Sequence, residues 1–153
     1  MSQDLAEEQA LLEKNLREAL EEAYTKTNIA ISELTNRGED FVKKVWAASE
    51  AVEYSSLLFS LTYDLQDYDP EVERRRGVDP ISLVKDSLQP LKLAMETRKQ
   101  SRKKAYESLR IAAYYLRTAY LDLSKKTTRR RDDARPAEGQ VSDSRTKRLH
   151  SKP

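Results

Sequence analysis

Apolar side chains recur along this chain at mostly three- and four-residue intervals, the period of an α-helix that buries one stripe. In the first segment Leu5, Leu12, Leu16, Ala19, Ala23, Ala30 and Leu34 mark the stripe, and Gln9 and Thr27 fill its gaps. The spacing is close to a coiled-coil heptad. Ser2 is placed to cap this helix, with Asp4, Glu7 and Glu8 near the positive end of its dipole. "TNRGED" at 35–40 interrupts the pattern. Gly38 suits a helix C′ position, Asn36 is weak inside a helix, and Glu39 and Asp40 suit a new start.

A second stripe runs through Ala47, Ala51, Tyr54, Leu58, Leu61, Leu65 and Tyr68 at intervals that alternate four and three. Phe41, Val42, Val45, Trp46, Val52, Leu57 and Phe59 widen the apolar surface, so this helix must be covered on more than one side. Pro70 and "DPEVERRRGVDP" predict a loop. Asp79 followed by Pro80 predicts a helix start, with a capping carboxylate and a proline in the first turn. Pro90 predicts a kink or a restart capped by Ser87. From there residues 91–127 can run unbroken for about 55 Å.

The end of that helix reads "LRIAAYYLRTAYLDLSKKTTRRR". Ala105, Leu109, Ala112, Leu116, Ala119 and Leu123 form a regular seam, with Tyr106, Ala113 and Tyr120 alongside and Ile111, Tyr115 and Leu121 extending it. Tyrosines that stack on bases need exposure beside a basic groove. These sit among alanines and leucines at core spacing, which predicts packing against helices with hydroxyls at the edge. The fold expected is therefore all-α: an elongated antiparallel helical hairpin or coiled-coil bundle of about three helices. They span about 3–35, 39–67 and 80–127 in a domain of residues 1–127, with the 69–79 loop at one end. Residues 128–153 have no apolar period and predict a disordered basic tail.

Composition sharpens this picture. Of the 153 residues 38% are hydrophobic and 35% charged, with three glycines, which favours long helices sharing narrow seams over a compact globule. Net charge is only +2 but unevenly placed. Residues 1–24 hold seven acids against Lys14 and Arg17, and residues 125–153 hold ten bases against four acids. The bases Arg98, Lys99, Arg102, Lys103 and Lys104 are expected on a solvated face that can pair with the acidic first helix. No cysteine is present, which excludes disulfides and thiolate metal sites. The acidic start and the lack of a long apolar run argue for an intracellular, soluble chain, cytoplasmic or nuclear, without a membrane span.

Catalytic chemistry is not legible. The single histidine, His150, lies in the tail, and there is no phosphate loop. Asp64, Asp67 and Asp69 in "DLQDYD" lack the spacing and glycine of a calcium loop. They read as an acidic helix end opposed by Arg74, Arg75 and Arg76. No catalytic residue, cofactor or metal is expected. The order of long helix, loop, "VDPISLVKD" and long helix is similar in outline, over roughly sixty residues, to helical-hairpin subunits of spindle and kinetochore complexes such as the Ska complex. The extra N-terminal helix departs from that outline.

The function expected is a non-enzymatic scaffold subunit that assembles through coiled-coil contacts with other helical subunits or with itself. Its partner surface is expected at Tyr114, Tyr115, Leu121, Trp46 and Phe59. Lys125, Lys126, Arg129, Arg130 and Arg131 are expected to meet an acidic partner, a weak and nonspecific nucleic-acid contact being the alternative. No aromatic residue in the tail can read bases. Fluorescence anisotropy should therefore find weak, sequence-independent DNA or RNA binding at low ionic strength, largely lost near physiological salt. Removing residues 125–153 should abolish it. Salt-resistant or sequence-selective binding would contradict this expectation.

Overall fold

The computed structural model describes residues 2–36 and 38–134, with side chains over 3–36 and 38–126. Four α-helices make up its regular structure: α1 (Ser2–Ser32), α2 (Glu39–Thr62), α3 (Pro80–Thr97) and α4 (Arg102–Ala134). They pack in antiparallel pairs, with α1 against α2, α3 against α4, α2 against α4 and, more lightly, α1 against α3. The contacts close a ring in the order α1–α2–α4–α3, around a core headed by Leu16, Leu20, Phe41, Phe59, Leu91, Leu109 and Leu116.

The expected third helix is two helices. It does not break at Pro90, which lies inside α3, and Ser87 is buried with its hydroxyl bonded to the Val84 carbonyl at 2.7 Å. The chain turns instead at 98–101, where Gln100 and Ser101 donate to the Thr97 carbonyl and Ala105 donates to Ser101. From Glu96 to Lys104 there is no apolar side chain, so a straight helix would have nothing to bury. Turning there folds the apolar faces of α3 and α4 onto each other. The hairpin-subunit outline, with a single long helix after "VDPISLVKD", is not met.

The α1 seam is broadly as expected, with Leu16, Ala23, Thr27 and Ala30 fully buried, but Leu20 joins it and Leu5 does not. Gly38 is the N-cap of α2 in extended backbone, not a left-handed C′ residue of α1. The α2 seam is displaced from the expected one. Its buried line is Phe41, Val45, Ala48, Val52, Ser55, Ser56, Phe59 and Thr62, whereas Tyr54 and Leu61 face solvent. Hydroxyls mask that line in the sequence, yet Ser55, Ser60 and Thr62 donate to the carbonyls of Ala51, Leu57 and Leu58. A hydroxyl satisfied by its own helix can be buried at little cost. Along α4 the expected seam is met, with Ala105, Leu109, Ala112, Leu116 and Ala119 buried and Leu123 partly so.

Residues 63–79 do not sit at one end of the bundle. Gln9 reaches the Thr62 carbonyl and Arg98 reaches the Tyr63 hydroxyl, so α1 begins where α2 and α3 end. The 63–79 segment must then return along the bundle to start α3. It runs beside α4, with Tyr68 against Tyr106 and Glu107, and Arg75 against Tyr114 and Tyr115. This is a four-helix bundle with one long crossover. At the far end Asp79 caps α3 through its carbonyl, which accepts from Leu83, and its carboxylate makes no capping bond.

The crossover leaves α2 through a Schellman turn. Tyr63 donates to Phe59 and Leu65 to Ser60, while Asp64 between them takes φ 57°. Leu65 is buried, closing the hydrophobic contact of that motif. The expected tail from residue 128 meets a helix that continues to Ala134, and the rest of that expectation, 135–153, lies outside the described residues. Deleting 125–153 would thus also remove the last turns of α4.

Asp64→Gly should raise stability by roughly 0.5–1 kcal/mol, because glycine takes positive φ without strain. Phe59→Ala should cost about 3–5 kcal/mol through the cavity it leaves. Urea denaturation of the two variants checks both, and a neutral Phe59→Ala would show that this side chain is not a core residue.

Candidate functional site

Two surfaces stand out. The first is the outward face of α2. At about 100° per residue, Trp46, Leu57, Glu50, Leu61 and Tyr54 fall within an arc of roughly 80° opposite the buried line. The four large side chains of this arc are 44–57% exposed. Since α2 already packs on α1 and α4, the arc faces away from the bundle.

The second is the seam between the crossover and α4. Its inner layer is aromatic: Tyr106 stacks on Phe59 at 5.8 Å between centroids and lies 6.2 Å from Tyr68. Cations cover the rings from outside, with Arg102 4.4 Å from the Tyr63 centroid, Lys103 5.3 Å from Tyr68 and Arg75 5.1 Å from Tyr115. The bases of 98–104 therefore serve the crossover as much as α1. Among the described residues Arg98 alone of these bases pairs with an α1 acid, Glu13 at 3.8 Å.

Arg75 pins the crossover at a second point. Its amide donates to the Tyr114 hydroxyl, and its guanidinium pairs with Asp86 of α3 at 3.0 Å. Contact with Tyr115, and then with Asp86, raises the guanidinium pKa above its ordinary value. The expected opposition of Arg74–Arg76 to Asp64, Asp67 and Asp69 is absent from these contacts: Arg75 answers Asp86 instead. Between α2 and α4, Arg110 donates to Glu53 at 3.1 Å and to the Ser56 hydroxyl at 3.0 Å.

Outside this layer lies an open groove of about 550 Å³ whose lining includes Arg74, Arg76, Val78, Leu83, Leu121 and Lys125. A neighbouring groove of about 430 Å³ shares Arg74, Tyr114, Thr118 and Leu121 and adds Arg117 and Arg110. The sequence offered no sign that Arg74 meets Arg117 along one groove, or that Arg74, Arg76 and Lys125 share the other, since only the crossover brings 74–76 to α4.

The residues expected at a partner surface separate. Trp46 and Leu121 are exposed. Tyr114 and Tyr115 lie half-buried under the crossover. Phe59 is fully buried and offers no surface, because the buried line of α2 passes through it. Of the bases expected to meet an acidic partner, Lys125 and Lys126 are exposed, the latter 3.6 Å from Asp122. Arg129, Arg130 and Arg131 lie in the last turns of α4, and their side chains are outside those described.

Among the described residues no cluster of three or more His, Cys, Asp or Glu could hold a metal ion, and no helix is long and apolar enough to cross a membrane. No family model, curated protein or solved structure matches this chain significantly.

The crossover also carries a titration. Tyr68 donates its hydroxyl to Glu107, and its pKa is raised, first by that hydrogen bond, then by burial and by the carboxylate's charge. A phenol whose folded pKa exceeds its unfolded value of 10.0 contributes stability fully below that pH and loses it as pH rises through the folded value. Comparing phenolate absorbance titrations of the wild type and Glu107→Gln should show Tyr68 ionising at lower pH in the variant. An unchanged profile would show that the pair does not hold the proton.

Proposed function

We propose that this chain is a non-enzymatic scaffold subunit that assembles by seating the outward face of α2 against a helix of another subunit. The observation that carries this reading is the arc of Trp46, Tyr54, Leu57 and Leu61, exposed opposite the buried line of its own helix. Scattered exposed apolar residues need no explanation, but an aligned stripe on one helix suits coiled-coil packing. Glu50 in the middle of the stripe supplies a polar position that can set register.

A second reading rests on a separate observation. α4 continues to Ala134, past the helices it packs on, and takes Lys125, Lys126, Arg129, Arg130 and Arg131 with it. A basic helical extension suits an acidic partner, nucleic acid included, by charge alone. The likeness in outline to spindle and kinetochore subunits adds little, because the helix after "VDPISLVKD" ends at Thr97.

Leu57→Ser combined with Leu61→Ser should leave the unfolding midpoint within a few degrees of wild type, since neither side chain is in the core. The same variant should lose association, read by light scattering at micromolar concentration and by affinity capture from native cells. A wild-type chain that stays monomeric and recovers nothing the variant loses would overturn the reading.

A further inference from the structure

We propose that copies of this protein also join head to tail, the acidic first turns of α1 in one copy seating in the basic groove beside α4 of the next. The proposal does not use the α2 stripe and stands apart from the function proposed above.

The head is a seam that overshoots its own bundle. Leu5 lies on the same line of α1 as the fully buried Leu16 and Ala23, yet it is 62% exposed. Gln9, bonded to the Thr62 carbonyl, is the first side chain of α1 that reaches the end of α2. Residues 3–8 are all exposed. Asp4 and Glu8, one turn apart, lie between the lines of Leu5 and Leu11, so the projecting end offers two carboxylates bordered by leucines.

The groove is the complement. Arg75 and Arg110 are occupied by Asp86 and Glu53, but Arg74, Arg76, Arg117 and Lys125 have no carboxylate partner among the described residues. Val78, Leu83 and Leu121 give the groove apolar lining. A nucleic-acid strand would also have to run past Asp69, Glu71, Glu73 and Asp122 around these openings. A short acidic segment with an apolar anchor fits that mixture better than a polyphosphate.

Head and groove lie at opposite ends of the bundle. From Arg102, at the end where α1 begins, to Lys125 is about 35 Å along α4 at 1.5 Å per residue. A copy therefore cannot fill its own groove. Contact between two different patches is heterologous, so it propagates into a chain or closes into a ring.

The test uses full-length protein carrying Leu57→Ser and Leu61→Ser, which removes association through α2. Sedimentation should show mass rising with concentration beyond a dimer, weakening at least about tenfold between roughly 50 and 500 mM salt. Asp4→Lys/Glu8→Lys and Arg74→Glu/Arg117→Glu should each give a monomer with unchanged helicity. Mixed together, intact head meets intact groove and reversed head meets reversed groove, each pair opposite in charge, so the mixture should regain mass that rises with concentration. Zero-length carboxylate–amine coupling should link Glu8 to Lys125 between isotopically distinct copies of the unreversed chain. A chain that stays monomeric at low salt, reversals without effect on association, or no Glu8–Lys125 link would each overturn the proposal.

Discussion

Hydroxyl groups that bond back to their own helix set the spacing of this bundle. Ser55, Ser60 and Thr62 on α2, Thr27 on α1 and Ser87 on α3 are all buried. Each donates to a carbonyl three or four residues earlier. None therefore needs a partner across the core; the serines occupy little more volume than alanine, and the threonines no more than valine. With Ala23, Ala30, Ala48, Ala94, Ala105, Ala112 and Ala119, they let helix backbones approach closely. Larger side chains, Phe41, Phe59 and the buried leucines among them, fill what remains.

The small residues on the buried line of α2 leave several of its largest side chains on the other face. On α2 the buried line takes serines while tryptophan, tyrosine and leucines occupy the opposite face. Burying Trp46, Leu57 and Leu61 in their place would push α1 and α4 apart and lose the packing that the small residues permit. The outward stripe is thus a counterpart of the narrow core, left exposed by the described residues of the bundle.

The crossover has a comparable double role. It covers the aromatic side of α4, tied by Tyr68 to Glu107 and by Arg75 to Tyr114 and Asp86. In doing so it places Arg74 and Arg76 along one groove with Lys125 and Arg74 along the next with Arg117, making adjoining basic grooves from residues distant in sequence. The pinning contacts and the groove share one segment, so a change that loosens the first disperses the second.

Much of the helical content was legible in the sequence because helix periodicity and end signals are local. The apolar period of α1 and α4, Glu39-Asp40 at the start of α2 and Asp79-Pro80 at the start of α3 all act within a turn or two. Three features needed the tertiary structure. The buried face of α2 differs from the expected one because a serine that bonds its own helix looks polar in sequence, and only packing shows it is inside. Pro90 stays inside α3, and the break falls in the polar run before Lys104, where it costs little because no apolar burial is lost. The groove could not be foreseen at all, since it depends on which neighbour the crossover lies against. Local propensity decides where helices form, but long-range packing decides which face is buried and which charges meet.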